Sequence, residues 1–137
     1  MTRKVLCPVD GSEHSMHAVE AAVEMAQKYG AELALCIVNV AHGGGRGPMI
    51  HHWTEDDARA ILNRASDLAE AKGLRPKDTA IVLDREAASG IVRYADMNGI
   101  DQIVMGTGDK RGLSRLMLGS VAADVAGRAH CSVTVAR

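Results

Sequence analysis

Short apolar runs alternate with helix-periodic stretches along the whole chain. Val5-Leu6-Cys7-Pro8-Val9 is bounded by Asp10-Gly11-Ser12. It reads as a buried strand, with Pro8 near its end, where a missing ladder donor costs least. From Ser12 to Tyr29, Ala18, Ala21, Ala22, Met25 and Ala26 recur at three- and four-residue spacings. That spacing predicts a helix capped by Ser12 and closed by Gly30. Glu32 to Val40 is a second apolar run. The Gly-rich stretch from Ala41 to Pro48 reads as a loop. Helical periodicity resumes after Thr54, a capping residue followed by three acids, and stops at Gly73. Thr79 to Leu83 is a third strand, Glu86 to Asn98 a third helix, and Asp101 to Gly106 a fourth strand. A loop from Thr107, a helix from about Gly119 to Arg128 and a strand from Ser132 to Val135 complete the pattern.

Strands that alternate with helices pair in parallel through right-handed crossovers. The strands are continuous apolar runs, as expected when both faces are covered. The expected fold is therefore an α/β three-layer sandwich, Rossmann-like, formed by one domain over residues 1–137, with no internal repeat.

Composition removes several function classes. Hydrophobic residues make up 47% of the 137, too many for a disordered chain. Sixteen basic and 17 acidic side chains leave a formal charge of −1, which argues against nucleic-acid binding by bulk electrostatics. Only Trp53, Tyr29 and Tyr94 are aromatic, which argues against single-stranded nucleic-acid binding by base stacking. No apolar run approaches the length of about 18 residues that spans a membrane, and no signal-peptide core follows the N-terminus. Cys7, Cys36 and Cys131 are widely spaced and odd in number, which suits small buried hydrophobes rather than a disulfide framework. They imply a reducing compartment, the cytoplasm.

In an open doubly wound sheet, ligands bind beyond the carboxyl ends of the strands, where the strand order reverses. Two segments fall there. One is Pro8-Val9-Asp10-Gly11-Ser12. The other runs from Gly106 through Gly108, Asp109, Lys110 and Arg111 to Gly119-Ser120. Glycines let backbone N–H groups approach an anion, and a helix start adds donors and a favourable dipole. Together they suggest a phosphate cradle, although Gly-rich turns that bind nothing are also common. Neither segment is a P-loop or a dinucleotide fingerprint. His42, His51 and His52 match no common zinc spacing; with Trp53 they suggest a lid or a variable surface. His14 and His17 fall on the exposed side of the first helix. No catalytic residue and no metal site are assigned.

Val9-Asp10-Gly11-Ser12-Glu13 with Ser15 and an alanine-rich helix resembles the opening of the universal stress protein family. Val104-Met105-Gly106-Thr107, then Gly112-Leu113-Ser114-Arg115-Leu116-Met117-Leu118-Gly119-Ser120-Val121-Ala122, resembles its second signature. Cys131-Ser132-Val133-Thr134-Val135 is similar to its last strand. The resemblance spans the chain and implies a five-stranded parallel sheet of order 3-2-1-4-5. It implies a homodimer through the C-terminal strand and an adenine nucleotide, ATP or AMP, with or without Mg2+. By that resemblance Asp10, with Pro8 and Val9, meets the nucleoside. Val40 offers backbone groups to the base, Met105 covers it, and Gly106 lies under the ribose. Gly119, Ser120 and Val121 hold phosphates. The family's ATP motif is Gly, two residues, Gly, nine residues, Gly, then Ser or Thr. Asp109 stands where its second Gly belongs, and Gly108 is one place early. A carboxylate at Asp109 repels a triphosphate unless it turns to solvent or takes a metal ion. Three readings stay open: a cytoplasmic nucleotide-binding stress regulator, a member acting through protein contacts without nucleotide, and a slow ATP hydrolase.

Overall fold

A computed structural model describes residues 1–107 and 119–137. In chain order the elements are β1 (Lys4–Pro8), α1 (Glu13–Tyr29), β2 (Glu32–Gly43), β3 (Met49–His51) and α2 (Glu55–Ala71). They continue with β4 (Asp78–Asp84), α3 (Ala87–Met97), β5 (Gln102–Gly106), α4 (Ser120–Arg128) and β6 (Ser132–Ala136). Parallel pairing joins β1 to β2 and β5, β2 to β4, and β5 to β6. The parallel order is therefore β4-β2-β1-β5-β6, as the resemblance implies, and it reverses between β1 and β5.

The expectation of five parallel strands needs one correction. The described sheet has six strands, because β2 runs on to Gly43 and β3 pairs with its end in antiparallel fashion. Much of the stretch read as a loop is thus a hairpin. Gly43 and Gly44 bend it at φ 86° and 89°, values that favour residues without a Cβ. The Val9 N–H donates to the Cys36 carbonyl at 2.8 Å, and the His52 N–H donates to the Val40 carbonyl at 2.8 Å. Cys36 and Val40 are an even number of residues apart, so their carbonyls face the same edge of β2. The hairpin therefore takes over the edge that β1 leaves when it ends.

Alternate residues of each inner strand feed two separate cores. Val5 and Cys7 of β1, with Leu33, Leu35 and Ile37 of β2, lie under α1 and α2. Leu6 of β1, Cys36 of β2 and Ile103 of β5 lie under α3 and α4. Helix α1 buries Ala18, Ala22 and Ala26 completely. Their small side chains bring its backbone close to the sheet. The predicted caps hold: the Ser12 Oγ accepts from the Ser15 N–H at 3.1 Å, and the Thr54 Oγ1 accepts from the Asp57 N–H at 3.0 Å. Among the described residues no helix is long and apolar enough to cross a membrane.

Candidate ligand site at the carboxyl ends of the strands

The turn after β1 is tightly determined. The Asp10 carboxylate accepts from the Ser12 N–H at 2.9 Å, which folds the chain back on itself around Gly11, at φ 83°. The buried Ser15 hydroxyl donates to the Ser12 carbonyl at 3.0 Å and accepts from the Asp10 N–H at 3.3 Å. Asp10 is thus held exposed at the mouth of the sheet by bonds that begin in the first turn of α1.

Across the switch point, Gly106 ends β5. A Cβ on Gly106 would collide with the His14 carbonyl oxygen and lie 2.6 Å from its carbon. Both are backbone atoms, so glycine is required here for packing, whatever lies above it. The first turn of α4 starts at Gly119, which provides no side-chain cap. The N–H groups of Ser120, Val121 and Ala122 precede the first intrahelical bond, from the Ala123 N–H to the Gly119 carbonyl at 2.9 Å. They form a set of donors at the positive end of the helix dipole.

These elements enclose a cavity of about 540 Å³. Nine residues expected from sequence line it: Pro8, Val9 and Asp10 from β1 and its turn, Val40 from β2, Met105 and Gly106 from β5, and Gly119, Ser120 and Val121 at the start of α4. Gly108 and Asp109 lie outside the described residues. The Val40 carbonyl, expected to face a ligand, already accepts the His52 N–H, which leaves it one further acceptor position.

Sequence reading took the outer wall only for a lid or a variable surface and named none of its residues for the site. His42, His52 and Trp53 of the hairpin line the cavity, as do Ala87 and Ile91 of α3 and Thr107 after β5. His52 and Trp53 meet edge to face, with ring centroids 4.5 Å apart. Behind them Asn39, only 3% exposed, grips the Trp53 backbone. Its amide accepts from the Trp53 N–H at 3.0 Å and donates to the Trp53 carbonyl at 2.9 Å. The available signal was Asn39 itself, a polar residue within an apolar run, which must find partners if buried.

Other ionisable groups stand apart from this cavity. Burial pushes the Cys7 thiol far up, with Cys36 adding to the effect, and raises Cys36 to about 12. Both are therefore inert thiols. Burial alone would raise Asp84, but the N–H of Glu86 and the Arg93 guanidinium, at 3.1 and 3.2 Å, hold it below the ordinary carboxylate range. Among the described residues no group of His, Cys, Asp and Glu is arranged to hold a metal ion.

A doubly wound sheet with a cavity and a helix N-terminus at its switch point defines an α/β domain with a candidate ligand site. The chain belongs to the universal stress protein family, whose model matches residues 1–137. It is 33% identical over 141 aligned residues to a universal stress protein of Methanocaldococcus jannaschii, covering 98% of this chain and 82% of the relative. In structure it resembles a universal stress protein crystallised with cAMP, at a TM-score of 0.77 and 24% identity, over 98% of this chain and 97% of the other. It also resembles the Archaeoglobus fulgidus universal stress protein in complex with dAMP, at a TM-score of 0.73 and 24% identity, over 100% and 98% of the two chains.

Proposed function

We propose that the cavity binds an adenine nucleotide, ATP or AMP, and that the protein is a cytoplasmic stress-response regulator that holds this ligand rather than turning it over quickly. The observation that carries the reading is the polarity of the cavity. The N–H donors at the start of α4, which Gly119 does not cap with a side chain, lie at one end, beyond β5, and an apolar and aromatic wall, carried by the hairpin that continues β2, lies at the other. An anion suits the first end and a flat ring the second, which is the distribution of groups in a nucleotide. The complexes of related proteins with cAMP and dAMP support the same ligand class. Ser120 has no His or Asp partner in the described hydrogen bonds, which favours binding over hydrolysis.

In this reading the protein works as a homodimer, joined through the outer edge of β6. An edge strand with half-buried Val133 and Val135 is commonly covered by a partner. The test begins with the nucleotide content of the purified protein, followed by equilibrium dialysis against ATP and AMP, with and without Mg2+. Saturable binding of either nucleotide is expected. Binding of neither, by protein freed of carried-over ligand, overturns the proposal and favours a member acting through protein contacts.

A further inference from the structure

We infer that Asn39 is a positioning residue for the ligand's ring system: its buried amide fixes Trp53 and His52 as a rigid aromatic wall of the cavity. The inference rests on the nucleotide reading above and names the part of the site that recognises the base.

Two independent sets of bonds fix the wall. The two hydrogen bonds between the Asn39 side chain and the Trp53 backbone satisfy both ends of one buried amide. The bond from the His52 N–H to the Val40 carbonyl ties the preceding residue to the same strand. The wall is thus stitched to β2 immediately before α2 begins, and it is a built part of the site rather than a lid. Trp53 is also partly buried against the core under α1 and α2. It lines both the cavity and a second hollow on the side of Ile81 and Leu83. His52 is exposed and stands edge-on to that indole. Ring faces and edges accept a flat heterocycle with no demand on its substituents, whereas the donors at α4 accept only the anionic end.

The chain's only tryptophan makes the test direct. AMP and ribose 5-phosphate, which share the phosphate and differ by the base, are titrated into wild type, Asn39→Ala, Asn39→Asp and His52→Ala by calorimetry and by Trp53 emission. For wild type, AMP is expected to change the emission and ribose 5-phosphate to leave it nearly unchanged. Asn39→Ala and His52→Ala are expected to weaken AMP by about fivefold to a hundredfold, the range for loss of a stacking surface, and ribose 5-phosphate by less than twofold. Asn39→Asp keeps an acceptor for the Trp53 N–H and loses the donor, so it should fall between. General damage to the fold would weaken both ligands alike, which overturns the inference. So does AMP binding that is unchanged in His52→Ala and Asn39→Asp, and these two variants carry the test if Asn39→Ala does not fold. In both cases wild-type binding stands and the nucleotide reading survives. If wild type binds neither AMP nor ATP, the nucleotide reading fails and the inference falls with it.

Discussion

Replacing Gly106 by Ala tests the contact that brings the two halves of the cavity together. The added Cβ would collide with the His14 oxygen and lie 2.6 Å from its carbon and 3.1 Å from the Ser15 nitrogen. All three atoms belong to the first turn of α1 and cannot rotate away as a side chain would. Relief requires a shift of that turn or of β5. Inner strand β5 is buried throughout, so the turn must yield. Overpacking of this kind costs about 1–3 kcal/mol, and a backbone obstacle puts the expected value near the upper end. At roughly 4 °C for each kcal/mol in a domain of this size, Tm should fall by about 10 °C. The assay is thermal or urea unfolding followed by circular dichroism, with Gly127→Ala as the control. Gly127 lies in α4, with nothing within 4 Å of its ideal Cβ. That substitution should stabilise by about 0.5–1 kcal/mol through helix propensity. Equal midpoints for Gly106→Ala and wild type would refute the close packing of α1 on β5. Because the displaced turn also holds Asp10 through the Ser15 hydroxyl, loss of ligand affinity in Gly106→Ala would not establish that Gly106 touches a ligand.

Asp84→Asn should lower stability at neutral pH. The folded-state pKa of Asp84 is depressed, so its contribution is fully present above the unfolded carboxylate value, around pH 4, and is lost as pH falls through the lower folded value. Urea midpoints of the two proteins should converge in acid, and a constant gap would contradict the assignment. A thiol reagent at pH 8 should label Cys131, which is partly exposed, well before the fully buried Cys7 and Cys36; prompt labelling of either buried thiol in native protein would contradict their placement. Sedimentation at micromolar concentration should find a wild-type dimer that Thr134→Pro weakens. Thr134 also accepts a 2.9 Å bond from Gln102, so the variant's fold must be checked alongside. A monomeric wild type refutes pairing through β6.

The fold was legible where apolar periodicity and caps agreed. The run Val5 to Val9 with Ser12 behind it, and the Thr54-led acidic turn, placed β1, α1 and α2 within a residue or two. The hairpin was not legible. Four glycines between Ala41 and Pro48 carry the composition of a loop. Met49–His51 is too short for alternation to register, and its side chains are all exposed, so no buried face marks it. Its strand character comes from pairing with β2, a tertiary cause that local pattern does not contain. The lining of the cavity was legible on its β1, β5 and α4 sides because glycines and the Asp-Gly-Ser turn have local geometric reasons to be there. The outer wall depends on Asn39 reaching Trp53 across 14 residues, and such a contact leaves no periodic trace.

The position of β1 has a consequence for how the molecule comes into being. The first strand made is the middle strand of the finished parallel sheet. Its partner on one side, β2, follows after a single helix. On the other side it waits for β5, a contact that at its start joins Arg3 to Asp101 over 98 residues. During synthesis one edge of Val5-Leu6-Cys7 therefore stays unpaired until most of the chain has emerged, and the closure of that long loop is an entropic barrier late in folding. Through that interval the nascent chain exposes an apolar edge suited to wrong pairing. The ligand cavity cannot exist before the last quarter of the chain arrives, so any ligand that binds it can reward only complete molecules.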